Sequence, residues 1–304
     1  METQQRRRYR ALTDEQADQF LNHGYVKIEG AIPPEVVREW TATVWTRLGY
    51  DPDDRSTWEQ HRIHMPTHQR KPVAEFAPKA WDAICDLCGE GRVLEPCTWG
   101  DGFIVNLGAD DHADTWEPPS PTSGGWHKDG DWFRHFLDSP EQGLLTIVLW
   151  SDVLPRGGAT FVAGDSVPVV ARFLAEHPEG VYPGGFDFAS MIGQCKEFAE
   201  ATGKAGDVYL THPYLLHASS RNALRLPRLI TNPAVSLKEP LRFDREDPAE
   251  LSLVERAVLR GIGVERLPFS PTAPRERVIP ERERRQQKML AEEKERLGAA
   301  TPSR

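Results

Sequence analysis

A mainly β architecture, an antiparallel barrel or sandwich of short strands flanked by helices, is what this 304-residue sequence predicts. Two observations carry that prediction. From about Val93 the chain breaks into short β-branched or aromatic runs at residues 103–108 (FIVNLG), 143–153 (GLLTIVLWSDV), 158–164 (GATFVAG), 206–219 (GDVYLTHPYLLHAS) and 228–237 (RLITNPAVSL), separated by Gly, Pro, Asp and Asn. Before and after that region, apolar residues recur at helical spacing instead. No internal repeat is visible.

Taken in order, Thr13 and Gln16 have capping-box spacing, Ala17, Phe20 and Leu21 share one helical face, and Gly24 stops the helix before a strand at 25–30. Pro34 suits the first turn of a second helix whose apolar face holds Val36, Val37, Trp40, Val44 and Trp45. Residues 61–71 (HRIHMPTHQRK) are polar and irregular; His61, His64 and His68 lack cysteines or carboxylates at ligand spacing, so a loop with solvated histidines is expected. Another helix starts near Pro78 and carries Cys85 and Cys88 as small apolar residues. Past the strands, Asp247 with Pro248 is expected to cap a helix running to Gly263. Residues 275–304 are dense in mixed charge with few apolar anchors, which predicts a solvated helix or a frayed tail.

Composition narrows the function. Hydrophobic residues make up 39 %, enough for a sizeable core. A net charge of -9 argues against nucleic acid or an anionic membrane surface as a partner. The four cysteines are too few and too irregular for a disulfide framework, and no apolar stretch reaches membrane-spanning length. The N-terminal METQQRRR carries no apolar signal region, and the closing TPSR is not a peroxisomal address, so a cytoplasmic protein is expected.

The chemistry concentrates in residues 124–136 (GGWHKDGDWFRHF). In extended backbone, residues i and i+2 share a face, so His127 and Asp129 converge on one point. One further imidazole would complete the two-His-one-carboxylate set that holds non-haem Fe(II) and leaves positions open opposite. His217 at the end of a strand offers it, with His212 as the competitor. Arg228 opens the return strand, where a hairpin brings its guanidinium back beside the metal, and a fixed cationic fork there suits the far carboxylate of a dicarboxylic co-substrate. Asn106 on a neighbouring strand is a candidate to hydrogen-bond that co-substrate, and Thr146 and Trp150 share a face that could reach the pocket.

With Ser219 and Asn222 following His217, this arrangement resembles the phytanoyl-CoA dioxygenase family of Fe(II)- and 2-oxoglutarate-dependent oxygenases. Residues 12–37 look like the family's opening helix-strand-helix, 148–166 like its central strand pair, and 206–222 like its distal-His signature. The resemblance implies a single oxygenase domain: a double-stranded β-helix (jelly roll) over about 95–240, an N-terminal segment 1–94, a C-terminal helical region 241–274 and a charged tail 275–304. It further implies His127, Asp129 and His217 as iron ligands, Arg228 as the 2-oxoglutarate clamp with Ser219 as helper, and O2-dependent oxidation of a small organic substrate with release of succinate and CO2. His212 is carried over only as a strand residue. Residues 110–125 and 61–71 depart from the family pattern and could flank the pocket mouth, and no basic cluster suits an acyl-CoA. A jelly-roll binding protein without a redox metal and a zinc hydrolase using the same His/Asp/His site are the other two readings; neither needs Arg228.

Overall fold

The structure, a computed structural model, describes residues 9–300; the arginine-rich start and the closing TPSR lie outside the described residues. The strands are β1 (Tyr25–Ile28), β2 (Arg62–His64), β3 (Arg70–Pro72), β4 (Thr98–Gly100), β5 (Ile104–Asn106), β6 (Leu144–Leu149), β7 (Thr160–Ala163), β8 (Phe198–Ala201), β9 (Val208–Thr211), β10 (His217–Ser219), β11 (Arg228–Thr231) and β12 (Ala234–Val235). The helices are α1 (Asp14–His23), α2 (Pro34–Thr41), α3 (Val44–Leu48), α4 (Val73–Phe76), α5 (Pro78–Cys88), α6 (His112–Thr115), α7 (Ser166–Glu176), α8 (Leu253–Ile262) and α9 (Arg282–Ala300).

The strands form mostly antiparallel sheets. The largest runs β1-β9-β6-β11-β5-β2, with β12 also on β6; a smaller one runs β10-β7-β8, and β3 pairs with β4. Every residue of β6 is buried, because the large sheet is covered on both faces. Val148 and Trp150 pack toward the helices, Trp150 stacking on Trp40 of α2 at 4.9 Å, while Ile147 and Leu149 join Tyr209 and Ile230 against Ala159 and Ala201 of the smaller sheet. That alternation is the period-2 signature of strands. It also removes Thr146 and Trp150 from the pocket: the Thr146 hydroxyl donates to the Pro233 carbonyl and the Trp150 indole to Thr231.

The N-terminal elements follow their sequence signals. Thr13 and Gln16 form the capping box of α1, and Gly24 closes it in the left-handed region at φ 69°. Cys85 and Cys88 are buried in α5, where burial raises both thiols above their ordinary range, as inert packing residues should show.

Two expectations are corrected at the C-terminal end. Asp247 caps only a single turn at Pro248–Glu250; α8 starts later, where Ser252 and Glu255 form a second capping box. Glu255 also receives Arg92 and Arg245, which fixes that register. The charged tail is not merely solvated, since α9 docks through a buried ion cluster. Arg47 of α3 and Glu293 of α9, each 1 % exposed, meet at 2.8 Å; His68 lies 2.7 Å from the same Glu293 oxygen, and Arg47 also reaches the Asp101 and Pro66 carbonyls. Residues 61–71 likewise form two short edge strands rather than a loop.

Removing one partner of a buried ion pair costs about 3–5 kcal/mol, and the low end of that range applies because Arg47 keeps the Asp101 carboxylate at 3.3 Å. Glu293→Ala should therefore destabilise the protein by about that much in chemical denaturation, whereas Lys288→Ala, at an exposed i,i+4 pair on the same helix, should stay within about 0.5 kcal/mol. Equal losses in the two variants would show that α9 is not held by this cluster.

Candidate metal centre and its cavity

His127 and His217 face each other as an antiparallel bridge: the His127 amide donates to the His217 carbonyl at 2.9 Å and the return bond is 3.0 Å. Directly opposed residues put their side chains on one face. The imidazole centroids are accordingly 4.3 Å apart, and Asp129 returns to the same site two residues on. The three side chains could hold a metal ion, with ligand atoms within 4.8 Å of one another. Gly130 permits the exit from this segment: its φ is 125°, and a Cβ there would lie 2.6 Å from His135 Cε1.

The chain orients each donor. Nδ1 of His127 lies 2.8 Å from the Gly125 carbonyl and Nδ1 of His217 lies 3.0 Å from that of Leu215. A carbonyl only accepts, so each Nδ1 carries the hydrogen and each Nε2 lone pair is left for the shared point. Nε2 of His127 is 3.4 Å from Asp129 Oδ1, and Nε2 of His217 is 3.5 Å from Oδ2. Burial alone would raise the Asp129 carboxyl, but the His217 and His127 imidazoles outweigh it and hold it well below its ordinary value. Burial lowers His127, yet the adjacent Asp129 carboxylate carries it above its ordinary value. A metal must displace that proton, so metal binding weakens as pH falls. Asn232, just beyond β11, donates to Asp129 Oδ2 at 2.8 Å. His212 is elsewhere, fully buried, with Nδ1 accepting from the Tyr214 amide and Nε2 directed at the Val254 carbonyl.

Arg228, Asn106 and Arg62 stand abreast on three neighbouring strands, β11, β5 and β2. Arg228 is 1 % exposed; its Nε donates to the Gly158 carbonyl at 2.8 Å and Nη1 to that of Ile104 at 3.3 Å, while Nη2 is buried with no partner. Gly158 allows that approach, since a Cβ there would sit 2.8 Å from the Asn106 amide. Burial, then the Arg62 guanidinium, push Arg228 down to about 9, which leaves it charged at neutral pH. The Arg62 guanidinium donates to Ser219 Oγ, two residues along β10 from His217. Asn106 donates Nδ2–H to the Ser220 carbonyl and accepts from the Gly108 amide. Arg221 and Arg225 are tied to Thr115 and Asp110 at the surface.

A cavity of about 690 Å³ opens over the His/Asp/His group, walled by His64 and Arg70 from residues 61–71, Trp132 and His135 from the metal segment, and Arg282 and Gln286 from α9. The segment 110–125 does not line it; that segment packs over the loop after β10, with His112 accepting from the Asn222 amide and Trp116 beneath Arg156. Lys128 also lines the cavity, its Nζ beside the Asp129 carbonyl and His135 Nδ1, and burial pushes its ammonium down to about 7. Arg62, Asn232, His135 and the inner face of α9 are functional candidates that strand or helix periodicity does not flag.

No family model and no curated protein match this chain. Solved structures do. EctD from S. alaskensis with bound Fe is 18 % identical, over 87 % of this chain and 88 % of that one, at a TM-score of 0.44. The non-heme alpha ketoglutarate dependent carbocyclase SnoK from nogalamycin biosynthesis is 16 % identical over 74 % and 84 %, also at 0.44. HygX from Streptomyces hygroscopicus, with nickel and 2-oxoglutarate bound, is 15 % identical over 75 % and 88 %, at 0.42.

His127→Ala, Asp129→Ala and His217→Ala should each abolish tight Fe(II) binding, and His212→Ala should keep it. Asn232→Ala should weaken it by about 10- to 100-fold, the usual cost of losing a group that orients a ligand. Anaerobic Fe(II) titration of the five variants measures all of this; metal loss in His212→Ala with retention in His217→Ala would reassign the third ligand.

Proposed function

We propose that this protein is an Fe(II)- and 2-oxoglutarate-dependent oxygenase acting on a small organic molecule. The observation that supports it most is Arg228, a buried guanidinium with no carboxylate partner among the described residues and an orphaned Nη2, placed across β5 from Arg62. A buried charge without a counter-ion is strongly disfavoured. Two guanidinium groups abreast on neighbouring strands, one of them bonded to Ser219 two residues from His217, suit a dicarboxylate that reaches the metal with one end. Bound together, Fe(II) and 2-oxoglutarate would supply the oxidising chemistry, O2 being consumed and succinate and CO2 released. His127, Asp129 and His217 would hold the metal by one face, and Arg228, with Ser219 and Asn106 beside it, the far carboxylate. The two facing sheets would be the halves of a double-stranded β-helix over about residues 95–240, with β1 and β2 recruited from the N-terminal segment, as in the phytanoyl-CoA dioxygenase family. Four free, buried cysteines fit a cytoplasmic setting. A zinc hydrolase or a binding-only jelly roll would leave Arg228 and Arg62 without a purpose.

The test is succinate formation from 2-oxoglutarate with Fe(II) and O2. A hydrogen bond to a charged group contributes about 1.5–3 kcal/mol, so Arg228→Ala should raise the half-saturating 2-oxoglutarate concentration by roughly 10- to 150-fold. Arg62→Ala should raise it by about tenfold, and Arg221→Ala and Arg225→Ala by less than about threefold. A large loss in Arg225→Ala with none in Arg228→Ala would place the clamp elsewhere; no response to 2-oxoglutarate in any protein would remove the oxygenase reading.

A further inference from the structure

We propose that the substrate entering this cavity carries an oxyanion, a carboxylate or a phosphate ester, and that the Nε2–H of His135 is a donor that receives it. The proposal rests on the oxygenase reading only in taking this cavity as the place where substrate binds. His135 is 3 % exposed yet lines the cavity. Its backbone amide and carbonyl both pair with Val181, at 2.8 and 2.9 Å, and its ring lies edge-on to Phe133 and Phe188, with centroids at 4.7 and 5.6 Å. The ring is therefore held in one orientation.

Its tautomer follows from Lys128. Three acceptors surround Lys128 Nζ: the Asp129 carbonyl at 3.1 Å, His135 Nδ1 at 3.0 Å and Gln142 Oε1 at 3.5 Å. That number matches the three donors of an ammonium group, which has no acceptor of its own. With Lys128 charged, as an ammonium with no lone pair, it can only donate, so His135 Nδ1 then accepts and the hydrogen sits on Nε2, which has no hydrogen-bond partner among the described residues. Nε2 is not one of the fully buried orphan atoms; it opens on the cavity, where an acceptor from a ligand can take the place of water.

The surrounding wall has the same bias. Arg70 has neither a carboxylate nor a hydrogen-bond partner among the described residues; Arg282 gives Nε and Nη2 to Asp131, at 2.6 and 2.8 Å, and keeps Nη1; the Gln286 amide is unpartnered. On the acceptor side, Asp129 is committed to the metal group and Asp131 to Arg282, and Asp187 uses one oxygen to cap Ala189. Formal charge on the wall balances, with Arg70, Arg282 and Lys128 against Asp129, Asp131 and Asp187, but the groups left without partners are mostly donors, which favours an oxygen-rich anion. Trp132 and Phe188 add flat apolar wall, so ring-bearing probes fit the volume.

The experiment loads the protein with Zn(II), as a redox-inert and diamagnetic stand-in, and with saturating 2-oxoglutarate so that the Arg228 position is filled. Benzoate, phenyl phosphate, benzyl alcohol and benzylamine are then titrated and followed by NMR, including the ring nitrogens of His135. The expected result is that benzoate or phenyl phosphate binds at least tenfold tighter than the alcohol and the amine, with the tighter of the two anions naming the group. The free protein should show His135 Nδ1 without a hydrogen, and the anion should shift Nε2–H. Arg70→Ala should weaken anion binding by about tenfold, and His135→Phe, which keeps a ring between Phe133 and Phe188, should abolish the anion preference. Equal or tighter binding of benzylamine, a hydrogen on His135 Nδ1, or anion affinity unchanged in both variants would overturn the proposal. Calorimetric binding of Zn(II) and 2-oxoglutarate is measured first: its absence counts against the oxygenase reading, and its presence without an anion preference counts against this inference alone.

Discussion

The site depends on one pair of reciprocal backbone hydrogen bonds, between His127 and His217. Those bonds fasten an irregular, glycine-rich segment to the exposed edge of β10, and in doing so convert two distant positions in the chain into opposed residues with side chains on one face. Everything else at the site elaborates on that contact. Asp129 reaches the same point because it lies two residues along, the Gly125 and Leu215 carbonyls turn both Nε2 atoms inward, and Asn232 steadies the carboxylate. Backbone pairing is a good way to fix such geometry, since it does not depend on the side chains it brings together.

Charge is distributed with equal purpose. The chain as a whole is acidic, yet Arg70 and Arg282 line the cavity and Arg62 and Arg228 stand on the neighbouring strands, and three of the four, Arg62, Arg70 and Arg228, have no carboxylate partner among the described residues. Arg228 and Arg62 lie among the strands beside the His/Asp/His group; Arg70, Arg282 and His135 line the cavity wall toward α9 and residues 61–71. α9 belongs to the site and not to a tail. Arg282 ties its start to Asp131, two residues past the metal carboxylate, and Glu293 ties its middle to Arg47 and His68.

Much of this was legible in the sequence, for identifiable reasons. The strands around residues 103–108, 143–153, 158–164 and 228–237 were readable because they are apolar, β-branched and bounded by turn residues. The run 206–219, expected as one strand ending at His217 with a hairpin to Arg228, instead splits at 212–216 into β9 and β10 in different sheets, and β10 does not pair with β11. The convergence of His127 and Asp129 was readable because i,i+2 spacing maps onto one face of extended chain, and His217 joined them because the order of segments resembled a known family. The edge strands β2 and β3 were not readable: three residues are too short to show a period, and their side chains are polar. Arg62 was lost with them. The docking of α9 was hidden because its anchors are Arg282 and Glu293, so a helix held by buried charge looked like one bathed in solvent. Asn232 and His135 gave no signal, since each acts through a single partner brought near by the tertiary fold.

The most direct measurement is a crystal structure of the protein prepared without oxygen in the presence of Fe(II) and 2-oxoglutarate. The account requires the metal within about 2.0–2.2 Å of Nε2 of His127, an Asp129 carboxylate oxygen and Nε2 of His217. It also requires 2-oxoglutarate to chelate that metal at one end and to place its far carboxylate on the Nη2 of Arg228. Metal bound by other residues, or a 2-oxoglutarate whose far carboxylate lies away from Arg228, would contradict it.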